Sequence, residues 1–263
     1  MIKMNIYKNI SILIKTDTCH ISLDNPKKLN ALSSATLREI SSACDEIALN
    51  KKIKIVVISS SSKNFSAGAD LTEIEKNKTV EDYWHENYGR KCINSILNLP
   101  QLSICLIEGY CLGGGAVIAS ACDFRIASEG SFCGYPEINL GMNLQWLSLP
   151  LCVRLIGPAR AKRMVMLGNH EDAETLFRWG FLDKVVPFDD LESASFEYAE
   201  GYANQAPAAV QMIKKSINAL SNQNDSAIMH MDADQFLLTS ATEDRREGLK
   251  AFFENRDPKF TGD

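Results

Sequence analysis

Glu137 is the carboxylate in this chain that the sequence places best for moving a proton. It follows Gly134-Tyr135-Pro136 and sits among Ile138, Leu140 and Met142. Apolar neighbours disfavour a charged carboxylate, so its pKa is expected to rise toward the range useful for proton transfer. A glutamate after proline is also an ordinary helix-start or surface residue, so this residue alone does not decide. Two glycine-bearing turns add weight. Gly113-Gly114-Gly115 joins an apolar strand, 102–107, to an apolar helix, and Gly68 follows a second apolar strand, 54–59. A triple glycine there lets a ligand approach the backbone closely and leaves N–H groups unpaired at a helix N-terminus, where the helix dipole favours negative charge. Such a turn can bind a phosphate or stabilise an oxyanion. If the two strands are neighbours, the N–H groups of Ala69 and Gly114 converge on one point and make an oxyanion hole. The plainer reading is that the glycines only permit tight turns and close helix packing.

Other chemistries find less support. The dinucleotide pattern G-x-G-x-x-G is not matched, and no G-K-[ST] follows the glycines to make a P-loop. A serine nucleophile elbow, G-x-S-x-G, is missing. Eight cysteines (19, 44, 92, 105, 111, 122, 133 and 152) lie mostly inside apolar patterns, without C-x-x-C or zinc spacing to histidine, and read as buried reduced thiols. No metal site is expected. Four histidines (20, 85, 170 and 230) are scattered, and His20 reads as structural.

The 263 residues suffice for one large domain or a domain with a small appendage. With 45% hydrophobic and 23% charged residues, a sizeable core is expected. A net charge of −5 argues against a nucleic-acid binder, which needs a basic footprint. Neither a membrane-length apolar run nor a signal-peptide pattern is visible, so the expected location is the cytoplasm. Residues 1–24 alternate as a hairpin, with Met1 to Asn5 entering a strand. Ser33 or Ser34 caps a helix to about Leu49, with Leu37, Ile40, Cys44 and Ile47 on one face. Residues 72–90 are polar, with Trp84, His85 and Tyr88 embedded, and read as a lid or helical insertion. A helix from Tyr88 to Leu97 ends before Pro100. The strand 102–107 runs straight into the glycine turn and a helix to about Ala121, followed by strands at 123–127 and 131–133. Pro158 fits a first helical position and Gly168 a stop. A helix from about Asp172 ends at Gly180, and Val185-Val186 is a last strand. Pro207 opens a helix with Val210, Ile213, Ile217 and Leu220 on one face. Ser240-Ala241-Thr242-Glu243 reads as a capping box before a final helix, 241–254. The division is a core, 1–200, and a helical C-terminal region, 201–263.

Taken together, these segments resemble the enoyl-CoA hydratase/isomerase (crotonase) superfamily over nearly the whole chain. Phe65-Ser66-Ala67-Gly68-Ala69-Asp70-Leu71 is similar to its first oxyanion segment. Ile107 through Gly115, and on to Ala127, is similar to its second. Phe132 through Gly141 resembles its catalytic-acid segment. Asn25-Pro26-Lys27-Lys28-Leu29-Asn30-Ala31-Leu32 resembles the stretch near the CoA adenine, and Thr242 through Phe260 the C-terminal helix and tail. The resemblance implies an α/β fold, a crotonase-like spiral of repeated ββα units with a helical C-terminal region used in trimer formation. It implies a homotrimer or dimer of trimers, with a CoA thioester as substrate and no separate cofactor. Ala69 and Gly114 would hold the thioester oxygen through their N–H groups, stabilising an enolate. Lys28, Ala31, Ala67, Gly68, Asp70, Leu71 and Phe252 would contact CoA. Trp84, Val117 and Trp146 are candidates for the acyl pocket, although Trp84 could equally belong to a lid helix and Trp146 to the core.

Hydratases of the family carry two glutamates. Glu137 matches one, but the other position, on the helix after the third glycine, holds Val117. Valine can neither accept a proton nor orient water. A single carboxylate suffices to take a proton from C2 of a 3-enoyl-CoA and return it at C4. The single-glutamate Δ3,Δ2-enoyl-CoA isomerases of the family look like this, also at Trp146-Leu147, and double-bond isomerisation is the preferred expectation. Hydration of a 2-enoyl-CoA is the alternative, and a non-catalytic acyl-CoA or RNA-binding member a minor one. Gln145 replaces the extra acid of dienoyl-CoA isomerases, and Asn143 replaces a dehalogenase nucleophile. The tail has Asn255 where the family often has a phosphate-binding lysine, with Lys27, Lys28 and Arg256 as possible compensation.

Overall fold

The computed structural model describes residues 7–73, 79–223 and 225–263. The strand entry expected at Met1 to Asn5, and part of the 72–90 insertion, lie outside them. The strands are β1 (Ile10–Lys15), β2 (Thr18–Leu23), β3 (Ile55–Ser60), β4 (Leu102–Ile107), β5 (Tyr110–Leu112), β6 (Phe124–Ser128), β7 (Phe132–Gly134), β8 (His170–Asp172) and β9 (Lys184–Val186). The helices are α1 (Ser34–Ala48), α2 (Val80–His85), α3 (Tyr88–Leu97), α4 (Gly114–Ala121), α5 (Ser148–Met166), α6 (Ala173–Trp179), α7 (Leu191–Ala203), α8 (Pro207–Ser221), α9 (Asp225–Met229), α10 (Asp232–Ser240) and α11 (Glu243–Glu254).

Six strands form one sheet in the order β1-β2-β3-β4-β6-β9. Only the β1–β2 hairpin is antiparallel. Side chains alternate across a strand, so β3 serves both faces: Val56 and Ile58 join a core under α1 and α3, while Ile55 and Val57 join a second core against α7. Burial on both faces explains the unbroken apolar runs of β3 and β4.

A second sheet, β5-β7-β8, was not foreseen. The chain does not run from β4 straight into the glycine turn. It bends at Gly109 (φ +57°) and adds the three residues of β5. A β-carbon at Gly109 would meet the Lys63 carbonyl oxygen at 2.2 Å, so this bend needs glycine. The Ser240–Glu243 capping box is also corrected. Thr242 caps α11, accepting from Arg245 N–H at 3.1 Å, while Ser240 ends α10. Gly157 breaks α5 (φ +77°, ψ 165°), which makes Pro158 the first residue of its second half, as the sequence suggested. The apolar stripe of α8 is present, but Ile213, Ile217 and Leu220 are exposed on the single chain. All eight cysteines are buried, free thiols. Among the described residues, no helix is long and apolar enough to cross a membrane.

Arg125 anchors the far end of α4. It is buried (3% exposed), and its guanidinium donates to the carbonyls of Cys122 (2.7 Å), Phe181 (2.6 Å) and Ala119 (3.4 Å) and to the Asp183 carboxylate (3.1 Å). A cation at a helix C-terminus satisfies orphan carbonyls and complements the dipole. Arg125→Met is expected to cost about 3–5 kcal/mol, read as a lower urea midpoint, because those carbonyls lose their donor and Asp183 loses its charged partner, keeping the backbone N–H of residue 125.

Candidate active site

The two glycine turns meet. Ser66 N–H donates to the Tyr110 carbonyl (3.0 Å) and Leu112 N–H to the Ser66 carbonyl (2.9 Å), so segment 65–68 runs beside β5. Gly68 lies at φ +97°, and a β-carbon there would be 3.0 Å from the Leu112 oxygen and 3.5 Å from Gly114 N. Gly115 is equally confined, since its β-carbon would lie 2.8 Å from Ser66 Cβ. On the other side, Leu32 donates to the Gly68 carbonyl (2.8 Å) and accepts from Asp70 N–H (3.1 Å). In such a parallel bridge the intervening residue points its own N–H the opposite way, so Ala69 N–H faces away from Leu32 and is left for another acceptor. Gly114 is the first residue of α4, where an N–H has no acceptor within the helix.

Glu137 stands beside this turn because β7 pairs with β5. Gly113 N–H donates to the Gly134 carbonyl (2.9 Å), and a 3₁₀ turn, Pro136–Leu140, begins two residues later. A β-carbon at Gly113 would lie 2.7 Å from Glu137 Oε1. Oε2 is fully buried and has no hydrogen-bond partner among the described residues. The residue as a whole is partly exposed, but its chemistry follows the enclosed carboxylate. Burial pushes its pKa up from 4.5 to about 7, against a smaller opposing hydrogen bond from its own backbone. Burial, rather than a neighbouring charge, is the cause of the shift. Val117, one turn into α4, is buried in the core at 1% exposure. Two residues that the sequence did not single out brace the acid. Tyr135, fully buried, shares a 2.9 Å hydrogen bond with Ser120 and so ties the acid segment to α4.

Trp146 lies against the same turn. A β-carbon on Gly114 would be 2.4 Å from its Cζ3, and one on Gly89 would be 1.9 Å from its Cε2, so the indole fits only between two glycines. A cavity is lined by Leu32, Leu37, Ala69, Asn87, Gln145 and Trp146, among others. Of the acyl-pocket candidates only Trp146 lines it. Val117 is core. Trp84 is corrected to the surface: it is 62% exposed and its indole N–H donates to Asp234 (3.1 Å).

The residues matched to CoA contacts divide. Lys28 Nζ lies 2.7 Å from Asp70 Oδ2 beside Ala69. Burial would raise the Asp70 pKa, but hydrogen bonds from Lys28 and Thr72 hold it below its usual value. Ala31 follows Leu29 and Asn30, both left-handed (φ +51° and +53°), and Ala67 N–H donates to the Leu29 carbonyl at 3.0 Å. Loop 25–32 and segment 66–70 therefore form one unit. Leu71 packs on Leu140, Met142 and Phe236. Phe252 does not join them: it is 54% exposed on α11, edge-to-face with Phe253. Arg256 is committed to Glu247 (2.6 and 2.8 Å) and Glu254 (2.7 Å), and Asn255 caps α11 at φ +51°. No cluster of His, Cys, Asp or Glu suited to a metal occurs among the described residues.

Residues 14–263 match the family model described as enoyl-CoA hydratase/isomerase. The chain is 32% identical over 253 residues to a probable mitochondrial enoyl-CoA hydratase of Dictyostelium discoideum, covering 91% of this chain and 86% of that one. It is 30% identical to a crotonyl-CoA hydratase of Syntrophomonas wolfei subsp. wolfei, covering 97% and 98%. Among solved structures, an enoyl-CoA hydratase of Bacillus anthracis superposes with a TM-score of 0.77 at 32% identity, over 97% of this chain and 100% of that one. With matching sequence, matching backbone and paired glycine turns, the chain belongs to the enoyl-CoA hydratase/isomerase family and has the crotonase fold.

Proposed function

We propose that this enzyme moves the double bond of a 3-enoyl-CoA into conjugation with its thioester, with Glu137 as the sole proton shuttle. The observation that carries this reading is a carboxylate whose pKa is raised by burial, beside a turn where the N–H groups of Ala69 and Gly114 are left without strand or helix acceptors. The thioester oxygen binds between Ala69 N–H and Gly114 N–H. Glu137 removes a proton from C2, and the electron pair delocalises onto that oxygen as an enolate extended over C3 and C4. The same carboxyl then delivers its proton to C4, leaving the double bond between C2 and C3. Donors aimed at the developing oxyanion supply the largest stabilisation, roughly 3–4 kcal/mol for one good donor. A pKa of about 7 suits both halves, since the group must accept and return one proton at neutral pH. The Lys28–Asp70 corner, with Ala31, Ala67, Gly68 and Leu71, takes the CoA end. The exposed stripe of α8 and the exposed Phe252 suit assembly into a trimer or dimer of trimers.

Hydration of a 2-enoyl-CoA is the second reading, and the hydratase names of the relatives favour it. It requires water to be activated and its proton relayed, and Val117 offers no group for that. Purified protein with 3-hexenoyl-CoA and, separately, 2-hexenoyl-CoA separates the two, followed by ultraviolet absorbance of the conjugated thioester. A rise with the first and little change with the second supports isomerisation. A fall with the second, with 3-hydroxyacyl-CoA formed, makes the enzyme a hydratase. Val117→Glu is expected to gain measurable hydration of 2-hexenoyl-CoA and to lose stability, since it buries a carboxylate. A folded variant without any gain would mean that the residue at 117 is not what limits hydration.

A further inference from the structure

We infer that Asp232 is a positioning residue for this reaction: through the backbone of Trp146 and Leu147 it holds the indole of Trp146 against the Gly114 turn. The inference rests on the assignment of that turn as the thioester-oxygen site. Trp146 and Leu147 are consecutive non-glycine residues in the left-handed region (φ +64° and +66°), a conformation that persists only where surrounding structure imposes it. Asp232 is buried (6% exposed), and its Oδ2 accepts from Leu147 N–H at 3.3 Å. Burial pushes the Asp232 carboxyl up, and the backbone N–H groups of Leu147 and Trp146 oppose that rise. The same face of α10 binds the preceding segment. Thr239 Oγ1 accepts from Asn143 N–H (3.0 Å), and Gln235 Oε1 accepts from the Asn143 side-chain amide (2.8 Å). Residues 232, 235 and 239 stand at helical spacing, so one polar stripe straps residues 143–147 down. The strap sets the indole in its slot between Gly89 and Gly114, where an added β-carbon at either glycine would strike the ring. Release of the strap frees the left-handed pair to relax, and the indole leaves both the cavity wall and the oxyanion turn.

The test uses the full chain with Trp84→Phe and Trp179→Phe, leaving Trp146 as the only indole. Adding Asp232→Ala is expected to red-shift Trp146 emission and lower kcat for 3-hexenoyl-CoA by about 10²-fold, the scale of a slight misplacement at a reacting centre. Asp232→Asn, which keeps an acceptor oxygen, should restore most of both. Emission and kcat within twofold of the parent in Asp232→Ala would overturn the inference, as would an Asn variant no better than Ala. Should Asp232→Ala not fold, Gln235→Ala removes one strap contact and leaves the carboxylate. A smaller red shift with a reduced kcat is then expected, and unchanged values overturn the inference. Emission is read without substrate, so it tests the strap even if the parent proves to be a hydratase.

Discussion

Glu137→Gln is expected to fold, lose isomerisation by at least about 10³-fold and melt at a higher temperature than the wild type at pH 8. The loss follows because Glu137 is the carboxylate against the Gly113 turn that the proposed mechanism uses to take and return the proton. The stability gain follows from linkage. Burial raises the carboxyl from 4.5 to about 7, so folding favours its neutral form. Wild-type stability is therefore fullest below about 4.5 and falls as pH rises toward and past 7, by up to roughly 3 kcal/mol. Glutamine carries no such penalty. Melting curves of the two proteins should separate at pH 8 and converge near pH 4. The same titration should appear in wild-type kinetics as a kcat/KM that rises with pH and inflects near 7. Activity of Glu137→Gln within tenfold of wild type would end the single-shuttle mechanism.

Gly113→Ala is expected to lower both stability and activity, because its backbone is left-handed and its β-carbon would reach the acid itself. Gly113 holds φ +50° and ψ −121°, which L-residues avoid, and the new methyl would lie 2.7 Å from Glu137 Oε1. Backbone strain alone costs about 1–3 kcal/mol. The clash displaces the acid, and with it at least about 10²-fold in kcat. Gly201→Ala is the matched control, because Gly201 lies in α7 with nothing within 4 Å of an added β-carbon. It should gain about 0.5–1 kcal/mol with unchanged kinetics. Chemical denaturation and steady-state assays on both variants check this. A Gly113→Ala enzyme as stable and active as Gly201→Ala would show that the turn does not hold the acid.

Much of the site was legible because it is written in glycine. Positions 68 and 113–115 can be read from one chain, since few other residues permit those turns, and Glu137 stood out as a carboxylate among apolar neighbours. Helices α1 and α3 were legible from apolar periodicity and their ends. Strand β5 was not, because three residues are too few to show an alternation. Trp84 was misplaced because a six-residue helix gives no cue to which side faces a cavity. Asp232 was invisible: it recognises backbone N–H groups 85 residues away, and such a contact leaves no pattern in side-chain types. The exposed stripe of α8 was readable as a stripe, but what covers it depends on surfaces beyond one chain.

In the proposed mechanism the thioester oxygen is held by backbone groups, those of Ala69 and Gly114, whereas the chemistry at positions 117 and 137 is set by side chains. A point mutation can rewrite the second set and leave the first in place. On that reading the oxygen-binding groups are insulated from genetic drift in a way that positions 117 and 137 are not. Descendants of such a chain can exchange one reaction for another by single codon changes while still grasping the same handle on their substrates.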